Sequence, residues 1–271
     1  MQQRIVAVIL FVSISFAAIA QTNASKMSSA EWMKMITANA VTKIGEKVHS
    51  GFALYYTKVG SMEVPYIVYV PAAYDASRPT SVVVFLHGAI LARDNYFHHT
   101  DPTIADEPIF SVGDAFNTIV VFPFGKNDLA WSGQQAAYEN IITIIGQVEQ
   151  HYNVDRKKIY IGGISMGGIA TFWFINNKPE LFAGFYTFSA LPGRGGDVKY
   201  SHITGQRPLY SMNAKDDQTF SYEEVHEIYE QHKKDAPDWH FSSVETGGHR
   251  FIYGNGGAKY VKEVLNDLMK K

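Results

Sequence analysis

The chain has 271 residues, 46% of them apolar and 18% charged, the composition of a globular domain and not of a disordered or fibrous chain. A formal charge of −2 with no basic run leaves no electrostatic footprint for nucleic acid. Cysteine is absent, which excludes disulfides, thiolate metal sites and a cysteine nucleophile.

In chain order, the first segment is Met1 to Arg4, then the apolar run Ile5 to Ala17, then Ala18-Ile19-Ala20. That three-part form predicts a secretory signal peptide over residues 1–20, with Gln21 as the new N-terminus. A retained anchor is the alternative, but the run is short for a bilayer span. The expectation is a secreted or periplasmic protein with no membrane attachment after cleavage. Residues 21–50 read as a helical leader, with Trp32, Met35, Ile36 and Val41 near helical spacing between Ser28 and Val48.

From Gly51 the texture changes. Phe52 to Val59 and Val64 to Val70 are strand-like and joined by Gly60-Ser61, which predicts an antiparallel pair. Ser81 to Leu86 is a continuous β-branched and apolar run, as a strand buried on both faces requires. Further strands are expected over 117–122, 158–162, 183–188, 208–213 and 239–244. Helices are expected over 134–152, 166–176, 222–233 and 258–270. The alternation predicts an α/β fold over residues 51–271: a mostly parallel central sheet, an antiparallel N-terminal strand pair, and helices on both faces.

The strongest local signal is Gly163-Ile164-Ser165-Met166-Gly167, a G-x-S-x-G between a predicted strand and a predicted helix. The two glycines relieve a tight turn that lifts the serine hydroxyl off the sheet to a helix N-terminus. A hydroxyl is a weak nucleophile and needs a base, which is held in turn by an acid. Five histidines follow Ser165; His249 stands apart because Thr246-Gly247-Gly248-His249 is a glycine loop directly after the last strand. The acid is expected after the preceding strand, where Asp216 and Asp217 both lie; Thr219-Phe220 beyond them favours Asp217, with Asp216 as the alternative. An oxyanion needs two backbone N–H donors. Met166 supplies one candidate, and the loop after Leu86 supplies Ala89, with Ile90 next. His87, ahead of the serine, reads as a structural residue beneath the site.

These features resemble the α/β-hydrolase superfamily. Val82 to Gly88, Phe122-Pro123-Phe124-Gly125 with Trp131, and Val154 to Tyr160 are most similar to secreted esterases: feruloyl and acetyl-xylan esterases, polyhydroxyalkanoate depolymerases and esterase D relatives. The resemblance spans roughly residues 51–271. It implies a serine carboxylic ester hydrolase working through an acyl-enzyme without a cofactor, on small-molecule or polysaccharide-linked esters. It puts the acid on Asp217 and the histidine on His249. Where such proteins often carry further glycines after His-Gly, this chain has Ala89-Ile90-Leu91.

Other readings remain. Trp131 either faces substrate or anchors its own loop. The 89–112 segment reads as a long loop that shapes a pocket, with Tyr96, Phe97 and Ile109 in it. His98, His99 and Asp101 lack a third helical histidine and make a poor metal site. The rival functions are a peptidase resembling the prolyl oligopeptidases and a non-catalytic binding protein on the same scaffold.

Overall fold

The computed structural model describes residues 24–46, 48–91, 93–96 and 98–270. The expected signal peptide (1–20), the cleavage point at Gln21, and Phe97 lie outside the described residues. Among those described, no helix is long and apolar enough to cross a membrane.

Eight strands form one sheet: β1 (Gly51–Val59), β2 (Met62–Val70), β3 (Thr80–Leu86), β4 (Ile119–Pro123), β5 (Val154–Ile164), β6 (Gly184–Phe188), β7 (Leu209–Ala214) and β8 (Trp239–Val244). Their spatial order is β1-β2-β4-β3-β5-β6-β7-β8. β1 and β2 pair antiparallel across Gly60-Ser61, and β2 pairs antiparallel with β4. All remaining pairs are parallel. The helices are α1 (Ser29–Ala38), α2 (Ser111–Phe116), α3 (Gln135–His151), α4 (Met166–Asn177), α5 (Tyr222–His232) and α6 (Ala258–Met269).

β3 shows why the sheet is covered on both sides. Val82, Val84 and Leu86 pack into one apolar cluster with Ile141, Ile144 and Val148 of α3 and Phe174 of α4. Val83 and Phe85 point the other way, into a second cluster with Trp32 and Ile36 of α1 and Val261, Leu265 and Leu268 of α6. Successive side chains of a strand alternate faces, so only an unbroken apolar run can satisfy both layers.

The connections fix where a ligand can sit. From β3 the chain crosses to β4 on one side, then returns past β3 to β5 on the other. The loops leaving the carboxyl ends of β3 and β5 therefore diverge, opening a crevice at the sheet edge.

The leader differs from its expected form. The helix covers Ser29–Ala38 only, opened by a capping box in which Ser28 Oγ accepts from the Glu31 amide and Glu31 accepts from the Ser28 amide. At its C-cap Asn39 donates from Nδ2 to the Phe52 carbonyl, 2.9 Å, tying the helix end to β1. Beyond it Glu46 accepts from the Thr42 amide and hydroxyl at 2.7 and 2.8 Å, closing a turn in place of further helix. The 89–112 segment also carries more structure than expected, with 3-10 turns at Pro102–Asp106 and Pro108–Phe110. Each begins with a proline, whose fixed φ suits a first helical position.

α1 is part of the domain core. Trp32 is fully buried, donates from Nε1 to the His99 carbonyl at 3.0 Å, and packs edge-on against Phe52 at 5.2 Å. Trp32→Ala is expected to destabilise the protein by about 3–5 kcal/mol through cavity formation. The midpoint should fall by about 6–20 °C for a domain of this size, read by calorimetry.

Candidate active site

β5 ends at Ile164 and α4 begins at Met166, so the whole reversal falls on Ser165. Its φ of 55° and ψ of −118° lie where side-chain-bearing residues rarely settle. The surroundings force this. A Cβ on Gly163 or on Gly167 would overlap the Leu86 carbonyl oxygen of the neighbouring strand, so only glycine lets β5 and α4 approach β3 this closely. The Ser165 amide donates to the Phe188 carbonyl at 3.0 Å, and its carbonyl accepts from Ile169 at 2.9 Å, which leaves the hydroxyl facing the crevice.

His249 arrives on a 3-10 segment (Gly248–Tyr253) whose entry needs Gly247 and Gly248, both at positive φ. Its Nε2 stands 2.8 Å from Ser165 Oγ, and its Nδ1 stands 2.8 Å from Asp217 Oδ2. With Asp217 ionised, Nδ1–H donates to the carboxylate and Nε2 is left to accept from the serine hydroxyl. Phe220 packs edge-on against the imidazole at 5.1 Å.

The two neighbouring aspartates have separate tasks. The Asp217 side chain is fully shielded; Oδ1 accepts from the Thr219 and Phe220 amides at 2.7 and 3.0 Å, leaving Oδ2 for His249. Asp216 is exposed and accepts from the Gly247 and Gly248 amides at 3.1 and 2.8 Å, which fastens the loop carrying His249. Those two bonds hold its carboxyl below the usual carboxylate range.

The loop leaving β3 is pinned from below by His87, which is buried. Its Nδ1–H donates to the Gly88 carbonyl at 2.9 Å, and its Nε2 accepts from the Gly125 amide at 3.2 Å. Burial pushes its pKa down to about 3, so the ring is neutral. Gly88 lies against Ser165: a Cβ there would stand 3.1 Å from the serine Cβ. Ala89 adopts φ 55°, and among the described residues neither its amide nor that of Met166 has a backbone acceptor.

Trp131 is corrected from a substrate contact to a loop anchor. It is 1% exposed, donates from Nε1 to the His87 carbonyl at 3.1 Å, and packs edge-on against the His87 ring at 4.8 Å. The indole N–H has found a buried partner under the loop, and the ring does not reach the crevice. Among the described residues no cluster of three or more His, Asp or Glu could hold a metal ion.

The crevice is a cleft of about 190 Å³ lined by Gly88, Ala89, Ser165 and His249, and also by Arg93, Glu107, Arg250 and Tyr253. Sequence reasoning passed over these last four. Arg250 follows His249 directly, which was an available signal, whereas nothing distinguishes Glu107 from other loop acids.

The Prolyl oligopeptidase family matches residues 129–191. A bifunctional acetylxylan esterase/xylanase, XynS20E of Neocallimastix patriciarum, is 26% identical over 119 residues, which is 42% of this chain and 17% of that protein. A serine hydrolase of Staphylococcus aureus described as fluorophosphonate-binding, FphF, matches with TM-score 0.64 and 16% identity over 82% of this chain and 100% of that one. The chain has the α/β-hydrolase fold. A thermostable esterase matches with TM-score 0.63 and 23% identity over 81% of this chain and 62% of its own. A ferulic acid esterase of Anaeromyces mucronatus matches with TM-score 0.58 and 19% identity over 83% and 93%. The chain thus spans under a fifth of the curated relative and under two thirds of the thermostable esterase.

The depressed His87 pKa has a testable consequence. The unfolded chain takes up this proton below its ordinary pKa of 6.5 while the folded chain refuses it down to about 3. The unfolded state therefore binds more protons in that window, and His87 makes stability fall as pH falls, by about 1.4 kcal/mol per unit. Urea unfolding of the wild type and His87→Gln between pH 4 and 6 should show a shallower decline in the variant, although it is the less stable of the two at pH 7.

Proposed function

We propose that the protein is a serine carboxylic ester hydrolase that works through an acyl-enzyme. The observation that carries this reading is the unbroken hydrogen-bond chain from Ser165 Oγ through the His249 imidazole to buried Asp217, 2.8 Å at each step. Ser165 Oγ attacks the ester carbonyl carbon as its proton passes to His249 Nε2. Asp217 keeps Nδ1–H oriented and stabilises the imidazolium. The Ala89 and Met166 amides donate to the oxyanion. When the tetrahedral adduct collapses, the carbon–oxygen bond to the alcohol breaks and the alcohol leaves with the proton from Nε2. Water then repeats the sequence, giving its proton to His249, and the acid departs as Ser165 is restored. Groups of this chain carry every proton and charge in the cycle, so it needs no cofactor.

The substrates we infer are acetyl or feruloyl esters, free or on polysaccharide, in keeping with the names of the relatives. Secretion to the periplasm or medium fits such substrates and the apolar N-terminal run. The match of residues 129–191 to the Prolyl oligopeptidase family favours a second reading, a peptidase. Hydrolysis of a prolyl p-nitroanilide faster than of any ester offered would support it.

Ser165→Ala should abolish p-nitrophenyl butyrate hydrolysis and leave the circular dichroism spectrum unchanged. Turnover at the wild-type rate would remove the serine from the chemistry. Asp217→Asn should lower kcat by about 10⁴-fold, because the amide no longer fixes the imidazole tautomer. Asp216→Asn, which only loosens the histidine loop, should lose far less.

A further inference from the structure

Next to Ser165 the cleft holds a cluster that the ester chemistry does not use. Arg93 enters from the loop after β3, Glu107 from the junction of the two 3-10 turns, and Arg250 and Tyr253 from the segment that carries His249. Arg93 Nε donates to the Ala89 carbonyl at 3.1 Å, which ties this guanidinium to the oxyanion loop. The Arg250 guanidinium lies over the Tyr253 ring, 5.2 Å from its centre. Glu107 Oε2 is shut off from solvent and has no hydrogen-bond partner.

The charges here do not balance. Burial, outweighing the Tyr253 hydroxyl and the two arginines, raises the Glu107 carboxyl to about 7. Tyr253 is raised well above its ordinary value, first by burial and then by Glu107, and is neutral. The other titratable groups lining the cleft are His249 and neutral His87. Near neutral pH the cluster therefore carries two cations against at most a fraction of one anion. The arginines also act on each other: after burial, with Tyr253 and Glu107 opposing, Arg250 helps to lower the Arg93 pKa. An anion in this cleft gains charge-assisted bonds from guanidinium donors, and the proton of Glu107 adds a further donor.

We propose that this end of the cleft is a carboxylate subsite, so that Ser165 acts on esters bearing a carboxylate, held by Arg93 and Arg250 beside Glu107, in preference to uncharged acetyl and feruloyl esters. The inference rests on reading the cleft as the substrate site. Half-esters of dicarboxylic acids carry the ester and the carboxylate in one small molecule. Below its pKa Glu107 carries a proton that Oε2 can donate to the carboxylate; above it, the ionised Glu107 opposes the ligand.

The probes are monomethyl succinate and its neutral match, dimethyl succinate, titrated calorimetrically into the Ser165→Ala protein, which cannot turn them over. At pH 6 the half-ester should bind about tenfold or more tighter than the diester, as one charge-assisted contact implies. In the same background Arg250→Gln should cost about tenfold in half-ester affinity while Arg250→Lys, which keeps the charge, should lose about threefold. From pH 6 to pH 8 the affinity should fall about tenfold as Glu107 ionises, and Glu107→Gln should flatten that dependence. Equal affinity for the two esters, no measurable binding of the half-ester, or indifference to Arg250→Gln would overturn the subsite. Failure of the wild-type protein to hydrolyse either ester would count against the proposed function alone, because the binding arm does not depend on turnover.

Discussion

Where β5 leaves the sheet, the backbone at Gly163 and Gly167 presses against the Leu86 carbonyl of β3 so closely that no side chain fits between them. Leu86 is paired with Gly163 in the sheet, and the central position of β3, apolar on both faces, prevents it from moving aside. Ser165 must accept φ 55°, a conformation that costs about 1–3 kcal/mol and persists because the sheet and α4 over-determine it. The same contact brings the β3 exit loop, with Gly88 and Ala89, alongside the serine. One close approach thus sets the hydroxyl, the two candidate oxyanion amides and the floor of the cleft.

The remaining groups are fixed by a separation of dry and wet. Asp217 is buried with both oxygens committed, one to two backbone amides and one to His249, so the imidazole meets an acceptor that cannot rotate. Asp216, one residue earlier, faces solvent and holds the histidine loop by its amides. Beneath, His87 is kept neutral by burial and serves as a hydrogen-bonded strut. Among the described residues lining the cleft, the guanidinium groups are those of Arg93 and Arg250.

Much of this was legible in the sequence because the signals are local. An unbroken apolar run such as Ser81 to Leu86 has few alternatives to a doubly covered strand, and strands β1 to β8 lie within a few residues of their expected positions. The G-x-S-x-G turn and the glycine loop before His249 encode backbone geometry directly, so Ser165 and His249 could be named from it. What stayed hidden depends on packing between distant segments. The sequence already favours Asp217 over Asp216, but that Asp216 holds the Gly247 and Gly248 amides is not visible in it. Trp131 could face either way on its spacing, and only the His87 carbonyl under the loop accounts for its burial. The helical spacing of Trp32, Ile36 and Val41 overstates the length of the leader helix: all three are buried, yet Val41 reaches the core from an irregular turn where its amide meets the Tyr55 hydroxyl at 3.0 Å. Glu107 and Arg93, distant from Ser165 in sequence, line one cleft with it only in the folded chain.

The central claim is that the Ser165 hydroxyl is activated by His249 at this strained turn. Its most direct measurement is the rate and site of reaction with a fluorophosphonate, followed by peptide mapping, in the wild type and in His249→Ala. The account expects a single adduct on Ser165 and a loss of labelling rate of about 10³-fold or more in the variant, since an unassisted hydroxyl is a poor nucleophile. An adduct on another residue, or equal rates in the two proteins, would contradict it.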